Sequence, residues 1–251
     1  MNETTKKNLK EGMYMTKKIL ALIISVLFLT SLAVPTYAAD MRGEVAICTG
    51  EVEELKSMPV LPNSEPRYED GQIYSKVASV TVNVTEPVDQ HFRSKYSSYA
   101  YEANRIVERV DDYLSSEFGI DFRSVAQPLW TSGSTDPETL LDDAMNTFGL
   151  KYEGSKKADI MMAFSGADTT TGSGTTFGIA TVSQPYGCIF DHSYNQNCKS
   201  CQHEFGHTYG LRHHTASGNC VMKQGWDTNW DNFEHLCSTH WNEWNGAKSK
   251  Y

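Results

Sequence analysis

The sequence predicts an α/β fold over residues 76–251. Three observations carry this. Stretches of period-two alternation and stretches with apolar residues three and four apart follow each other in the order strand, helix, strand, helix, strand. The first helical stretch stops at a glycine. A short apolar run later in the chain suits a buried strand.

VASVTVNVTEPV alternates Val80, Val82 and Val84 with Thr81, Asn83 and Thr85, which predicts a strand. YAYEANRIVERVDDYLSSEFGIDF places Ala103, Ile106, Val107, Val110, Tyr113, Leu114 and Phe118 on one helical face and ends that helix at Gly119. SVAQPLW is a weaker strand signal. In STDPETLLDDAMNTFG a capping residue, an early Pro and Leu140, Leu141, Met145 and Phe148 predict a second helix. ADIMMAFSG is the short buried strand. A Thr/Gly-rich loop follows, then FGIATV as another strand, and WNEWNGAK near the end suits a last helix. No internal repeat or coiled-coil heptad is present.

The N-terminal region reads differently. Residues 15–39, MTKKILALIISVLFLTSLAVPTYAA, place two lysines before an apolar run that ends at Pro35 and small residues. That order predicts a cleaved secretory signal over residues 1–39, with Met15 as an alternative start and cleavage after Ala38. Ser25, Thr30 and Ser31 interrupt the run, which is short for a membrane span, and no second run is longer. The expected protein is therefore secreted and extracellular, without stable membrane insertion. Losing five Lys and two Glu would take the net charge from −9 to about −12. An acidic balance argues against a nucleic-acid partner. A monomer is expected. Residues 40–75, with Pro59, Pro62 and Pro66, read as a leader, propeptide or linker with little core of its own.

The chemistry concentrates in HEFGHTYGLRHH, residues 203–214, which holds four of the eight histidines. On a helix, His203 and His207 stand one turn apart on one face and can share a metal ion. Glu204 lies beside the first and can reach a water on that metal. Gly210 lets the backbone leave the helix, and His213 can return as a third ligand. Three protein ligands leave one position open, as a catalytic zinc requires. The expected reaction is hydrolysis through a zinc-bound water whose proton Glu204 takes as general base. His91, His192 and His235 have no ligand-spaced neighbours.

HEFGHTYGLRH resembles the signature of the metzincin zinc endopeptidases. The resemblance implies a metzincin-like catalytic domain. Its twisted mixed sheet and helices would stand above a cleft, over a small irregular lower part with the C-terminal helix. It also implies that Met222, in CVMKQ, packs beneath the three histidines without binding the metal. The sequence is most similar to the adamalysin or reprolysin-like group, through Gly178–Ala180, Cys188, Cys220-Val221-Met222 and Phe233 with Cys237 and Ser238. By the same resemblance Gly178, Ile179 and Ala180 form the strand that pairs with an extended substrate, and Lys223, Gln224, Gly225 and Trp226 wall a specificity pocket. Core packing is the simpler expectation for Trp226 and Trp230. The chain departs from the group at His214, where Asp is usual, and at Gln224, where related enzymes carry Tyr. It also lacks the usual partner cysteine between His213 and Met222, so Cys220 is expected to pair elsewhere, with Cys198 or Cys201. Archaemetzincins hold a second, structural zinc near this turn, and His214, Cys220, Cys237 and His240 fall in roughly similar places at different spacings. Cysteines of an exported chain more often pair, so one catalytic Zn2+ is expected and a second is not.

Cys48, Cys188, Cys198, Cys201, Cys220 and Cys237 are thus the candidate disulfide cysteines, with fifteen full pairings open. Five fall in the catalytic region and Cys48 alone in the leader. Cys48 could be a latency residue whose thiolate fills the open metal position, but AICTG matches no switch motif well, and a structural disulfide is the expectation. Cys198-x-x-Cys201 follows no thioredoxin-like strand, so no redox role is expected. The function expected is a secreted zinc metalloendopeptidase acting on proteins or peptides. The alternatives are a non-proteolytic zinc-binding interaction protein, a disulfide-stabilised surface module, and a zinc amidase acting on cell-wall peptides.

Overall fold

Val80, Val82 and Val84 alternate as expected and lie on a strand next to one edge of a mixed sheet. In this computed structural model, residues 44–50, 79–171, 174–213, 219–223 and 233–251 are described. The predicted signal segment, His214, Gln224, Gly225, Trp226 and Trp230 lie outside them. The elements in chain order are β1 (Val45–Gly50), β2 (Val80–Thr85), α1 (Gln90–Lys95), α2 (Tyr99–Phe118), β3 (Ile120–Ala126) and α3 (Pro137–Thr147). A small hairpin follows, β4 (Lys151–Glu153) with β5 (Lys156–Lys157). Then come β6 (Ile160–Ser165), β7 (Thr170–Thr171), β8 (Gly174–Thr181), β9 (Tyr186–Phe190), α4 (Tyr194–Tyr209) and α5 (Ser238–Ala247).

The sheet order is β1-β8-β9-β6-β2-β3, with β7 beside β8. β3, β2, β6 and β9 run parallel, while β8 runs antiparallel to β9 and to β1. β6 shows why the sheet holds helices on both faces. Ile160, Met162 and Phe164 pack into the cluster containing α2 and α4 residues, and Met161 and Ala163 pack with Leu140, Leu141 and Ala144 of α3. A fully buried strand reads as one apolar run because both of its faces are covered.

Local signals account for the helix ends. The Asp136 carboxylate accepts from the Thr139 amide, with Pro137 in the first turn. Gly119 closes α2 with φ of 68°. β3 begins directly at Ile120, opposite Val80, so this strand starts earlier than SVAQPLW suggested. The Val88–Leu129 bridge is what remains of that later signal.

Two expectations need correction. Residues 45–50, assigned to a leader with little core, form an edge strand of the main sheet, because β8 offers its free edge to them. None of the six cysteines is in a disulfide. Cys188 belongs to the α3 face of the sheet, whereas Cys198, Cys201 and Cys220 belong to the other. No helix among the described residues is long and apolar enough to cross a membrane.

Candidate metal centre

α4 carries the first two histidines into the interior. The Ser193 hydroxyl caps its start by accepting from the Gln196 amide. Every residue from Asn195 to Tyr209 is buried. At its end the Gly210 amide donates to the His207 carbonyl (2.8 Å) and the Leu211 amide to the Gly206 carbonyl (3.0 Å). Gly210 has φ of 106°, a conformation that favours glycine. This turn brings His213 back over the helix.

The three imidazoles meet through Nε2. His207 lies 2.9 Å from His203 and 3.1 Å from His213, and His203 lies 3.0 Å from His213. The other ring nitrogens are occupied: His203 Nδ1 donates to the Val221 carbonyl (2.5 Å) and His207 Nδ1 to the Leu211 carbonyl (2.7 Å). With Nδ1 protonated, the neutral rings of His203 and His207 direct Nε2 lone pairs at each other. Burial, first, and the neighbouring imidazoles push the pKa of His203 well down and that of His207 to about 3, which favours the neutral, ligating form. A cation relieves lone pairs so placed, and backbone carbonyls at the far nitrogens are the usual partners of metal-binding histidines. The donor set therefore fits a metal ion.

A fourth donor joins them. Cys48 Sγ lies 3.5 Å from His213 Nε2, and the donor atoms of Cys48, His203, His207 and His213 all lie within 4.8 Å of one another. Cys48 arrives on β1, opposite Gly178 of β8. An ion pair between Arg212 and Glu44 joins the start of β1 to the residue before His213. Burial, and then the Glu204 charge, push the Cys48 thiol well up; a bound cation would oppose this by favouring the thiolate.

Glu204 is fully buried, and neither carboxylate oxygen has a hydrogen-bond partner among the described residues. Burial pushes its pKa well above the carboxylate range, with the Cys48 thiol beside it acting the other way. Its space comes from Gly178, where an added Cβ would stand 2.4 Å from Glu204 Oε1. Gly206 plays the same part for Met222: a Cβ there would stand 2.4 Å from Met222 Sδ. Met222 is thus packed against the helix at Gly206, between His203 and His207.

The model of Reprolysin_5, metallo-peptidase family M12, matches residues 78–242. The chain belongs to this family. It is a zinc metallopeptidase, with zinc as cofactor and proteins or peptides as substrate class. Among solved structures, archaemetzincin from Methanopyrus kandleri matches this M12 chain at 18% identity and a TM-score of 0.49, over 67% of this chain and 96% of that one. A chain from the structure of a chaperone-substrate complex matches at 13% identity and a TM-score of 0.53, over 69% of this chain and 34% of that one. The second is a likeness of fold alone. No curated protein matches the chain.

Of the sequence-predicted residues, the structure of this M12 peptidase brings together His203, Glu204, His207, His213, Met222 and Gly178. Ile179 points to the opposite, α3 face. His91, His192 and His235 stand in no metal-capable group among the described residues. Sequence reasoning weighed Cys48 as a latency residue and set it aside. The signal that favoured it was the odd count of five cysteines downstream.

Proposed function

We propose that the chain is an exported zinc endopeptidase, folded here as its latent form. His203, His207 and His213 hold the ion, and Met222 supports them from below. The observation that carries this reading is the convergence of three buried Nε2 atoms beside an unpartnered, buried carboxylate. A zinc ion held there would polarise the scissile carbonyl and acidify the attacking water. Glu204 would accept the water's proton and return it to the leaving amine. Gly178 and Ala180 offer main-chain groups to an extended peptide, as β-strand addition requires. Export rests on the signal-like residues 15–39.

Latency rests on β1. It already occupies the β8 edge antiparallel, from Val45 opposite Thr181 to Gly50 opposite Thr175, with Cys48 at the three histidines. A peptide cannot take the same edge until this strand leaves. Cys48 then fills the open metal position that substrate and water need.

The test is the size of the substrate. Cys48→Ala protein should cut an unfolded protein at internal bonds, located by mass spectrometry of the products. Cleavage confined to short cell-wall peptides would replace this reading with an amidase. A second expected outcome concerns Gly178. In the Cys48→Ala background, Gly178→Ala should displace Glu204 and lower kcat/KM on the order of a hundredfold. Zinc content should not change. An unaltered kcat/KM would remove Glu204 from its assigned place.

A further inference from the structure

His203 and His207 are held by different means. The acceptor for His207 Nδ1 is the Leu211 carbonyl, in the turn that ends its own helix. The acceptor for His203 Nδ1 is the Val221 carbonyl, on a separate segment that must itself be held. A closed circuit of hydrogen bonds does this. It leaves α4 at Gln202, whose side-chain oxygen accepts from the Glu234 amide (2.9 Å). One residue on, the His235 carbonyl accepts from the Val221 amide (2.8 Å). The Val221 carbonyl then accepts from His203 Nδ1, next to the starting residue. Gln202 is buried, and its Nε2 has no hydrogen-bond partner among the described residues. An apolar side chain would fill this place without an orphaned donor, so the oxygen is what the place uses.

Backbone strain falls at the same place. Glu234 has φ of 61°, and among the described residues only Ser183, at 64°, shares a positive φ without being glycine. Both present the amide to α4: Glu234 to the Gln202 side chain, and Ser183 to the His207 carbonyl at 2.9 Å. Backbone of this kind persists only where its surroundings over-determine it. For Glu234 the surroundings come from α2. The Arg109 guanidinium, buried on that helix, pairs with the Glu234 carboxylate and stands 4.9 Å over the Phe233 ring.

We infer that Arg109, Glu234 and Gln202 are positioning residues for the metal site. Arg109 keeps Glu234 in its strained conformation. The Glu234 amide and the His235 carbonyl then tie the Val221 segment to α4. The Val221 carbonyl holds the proton of His203 on Nδ1, and so aims Nε2 at the ion. The inference rests on the proposed role of His203 as a ligand.

The test uses the full Cys48→Ala chain loaded with zinc. Arg109→Met keeps an apolar stem and removes the charge. Glu234→Gln keeps the shape of a partly exposed side chain and is the milder change. Each should lose zinc to a chelator roughly tenfold faster or more, because a support of one ligand has loosened. Each should also lower kcat with KM little changed, since β8, where the peptide is proposed to lie, is untouched. Arg105→Met is the control. Arg105 stands on the same helix, pairs with Glu102 and lies 3.9 Å over the Tyr194 ring at the start of α4, outside the circuit. That variant should release zinc at the parent rate. Release at the parent rate from folded Arg109→Met and Glu234→Gln would overturn the inference. So would equal acceleration by Arg105→Met, which would leave only general packing of α2 on α4. Should Arg109→Met fail to fold, Glu234→Gln decides alone. Failure of the catalytic reading looks different: zinc content of the parent would be indifferent to His207→Ala.

Discussion

Replacing Cys48 by Ala is expected to raise hydrolysis of an unfolded protein by the full chain at least about tenfold. The reason is local concentration. A tethered ligand competes with substrate as if present at about millimolar levels or more, and here the tether is a strand paired from Val45 to Gly50 along β8. Removing Sγ opens the metal position but leaves the main-chain pairing and the Arg212–Glu44 ion pair, so activity should rise again when the leader is cut away. The check is the rate of the two full chains at equal zinc content, followed by the rate after cleavage between residues 50 and 79. Equal rates at every stage would remove latency from the account and leave Cys48 a bystander of the site.

With Cys48 replaced, Glu204→Gln should lower kcat/KM by about 10²- to 10⁴-fold, the range for loss of a positioned base, or about 2.7–5.5 kcal/mol of transition-state stabilisation. Gln keeps the volume that fits against Gly178 but cannot accept a proton. Glu204 is not among the four converging donors, so zinc content should stay the same. The orphaned, fully buried carboxylate is what makes the expected effect large. A structural acid would have been paired, because an unpaired buried polar group is costly.

How much of this was legible in the sequence varied with the physics of each element. The convergence of His203, His207 and His213 was legible, because helical geometry turns a spacing of four residues into a shared face, and Gly210 marks where the backbone must turn. β2, α2, α3 and β6 were legible from periodicity and caps. α4 was found through its motif and not its pattern. Its residues are buried on all sides, and YNQNCKSCQHEFGHTY carries no apolar stripe. Some of its polar groups find partners in the interior instead: Asn197 Nδ2 donates to Asp191 (2.6 Å) and the Gln202 side-chain oxygen accepts from the Glu234 amide (2.9 Å). β9 was missed because YGCIF is short and follows a turn directly. β1 was hidden for another reason. Its partner lies more than a hundred residues away, and an edge strand one layer deep leaves little local periodicity; Ile47 is in fact exposed. The six cysteines are free. Composition counts cysteines but does not say where they lie: the sheet puts Cys188 on one face and Cys198, Cys201 and Cys220 on the other.

The most direct test of the three-histidine site is zinc content and hydrolysis of an unfolded protein, measured on one sample of Cys48→Ala chain. The sample is measured as purified, after chelation, and after zinc is returned. The account predicts cleavage that is lost with the metal and restored with it, and no restoration in a His207→Ala chain treated alike. Cleavage that survives complete removal of zinc, or zinc returned to the three histidines without any cleavage, would contradict it.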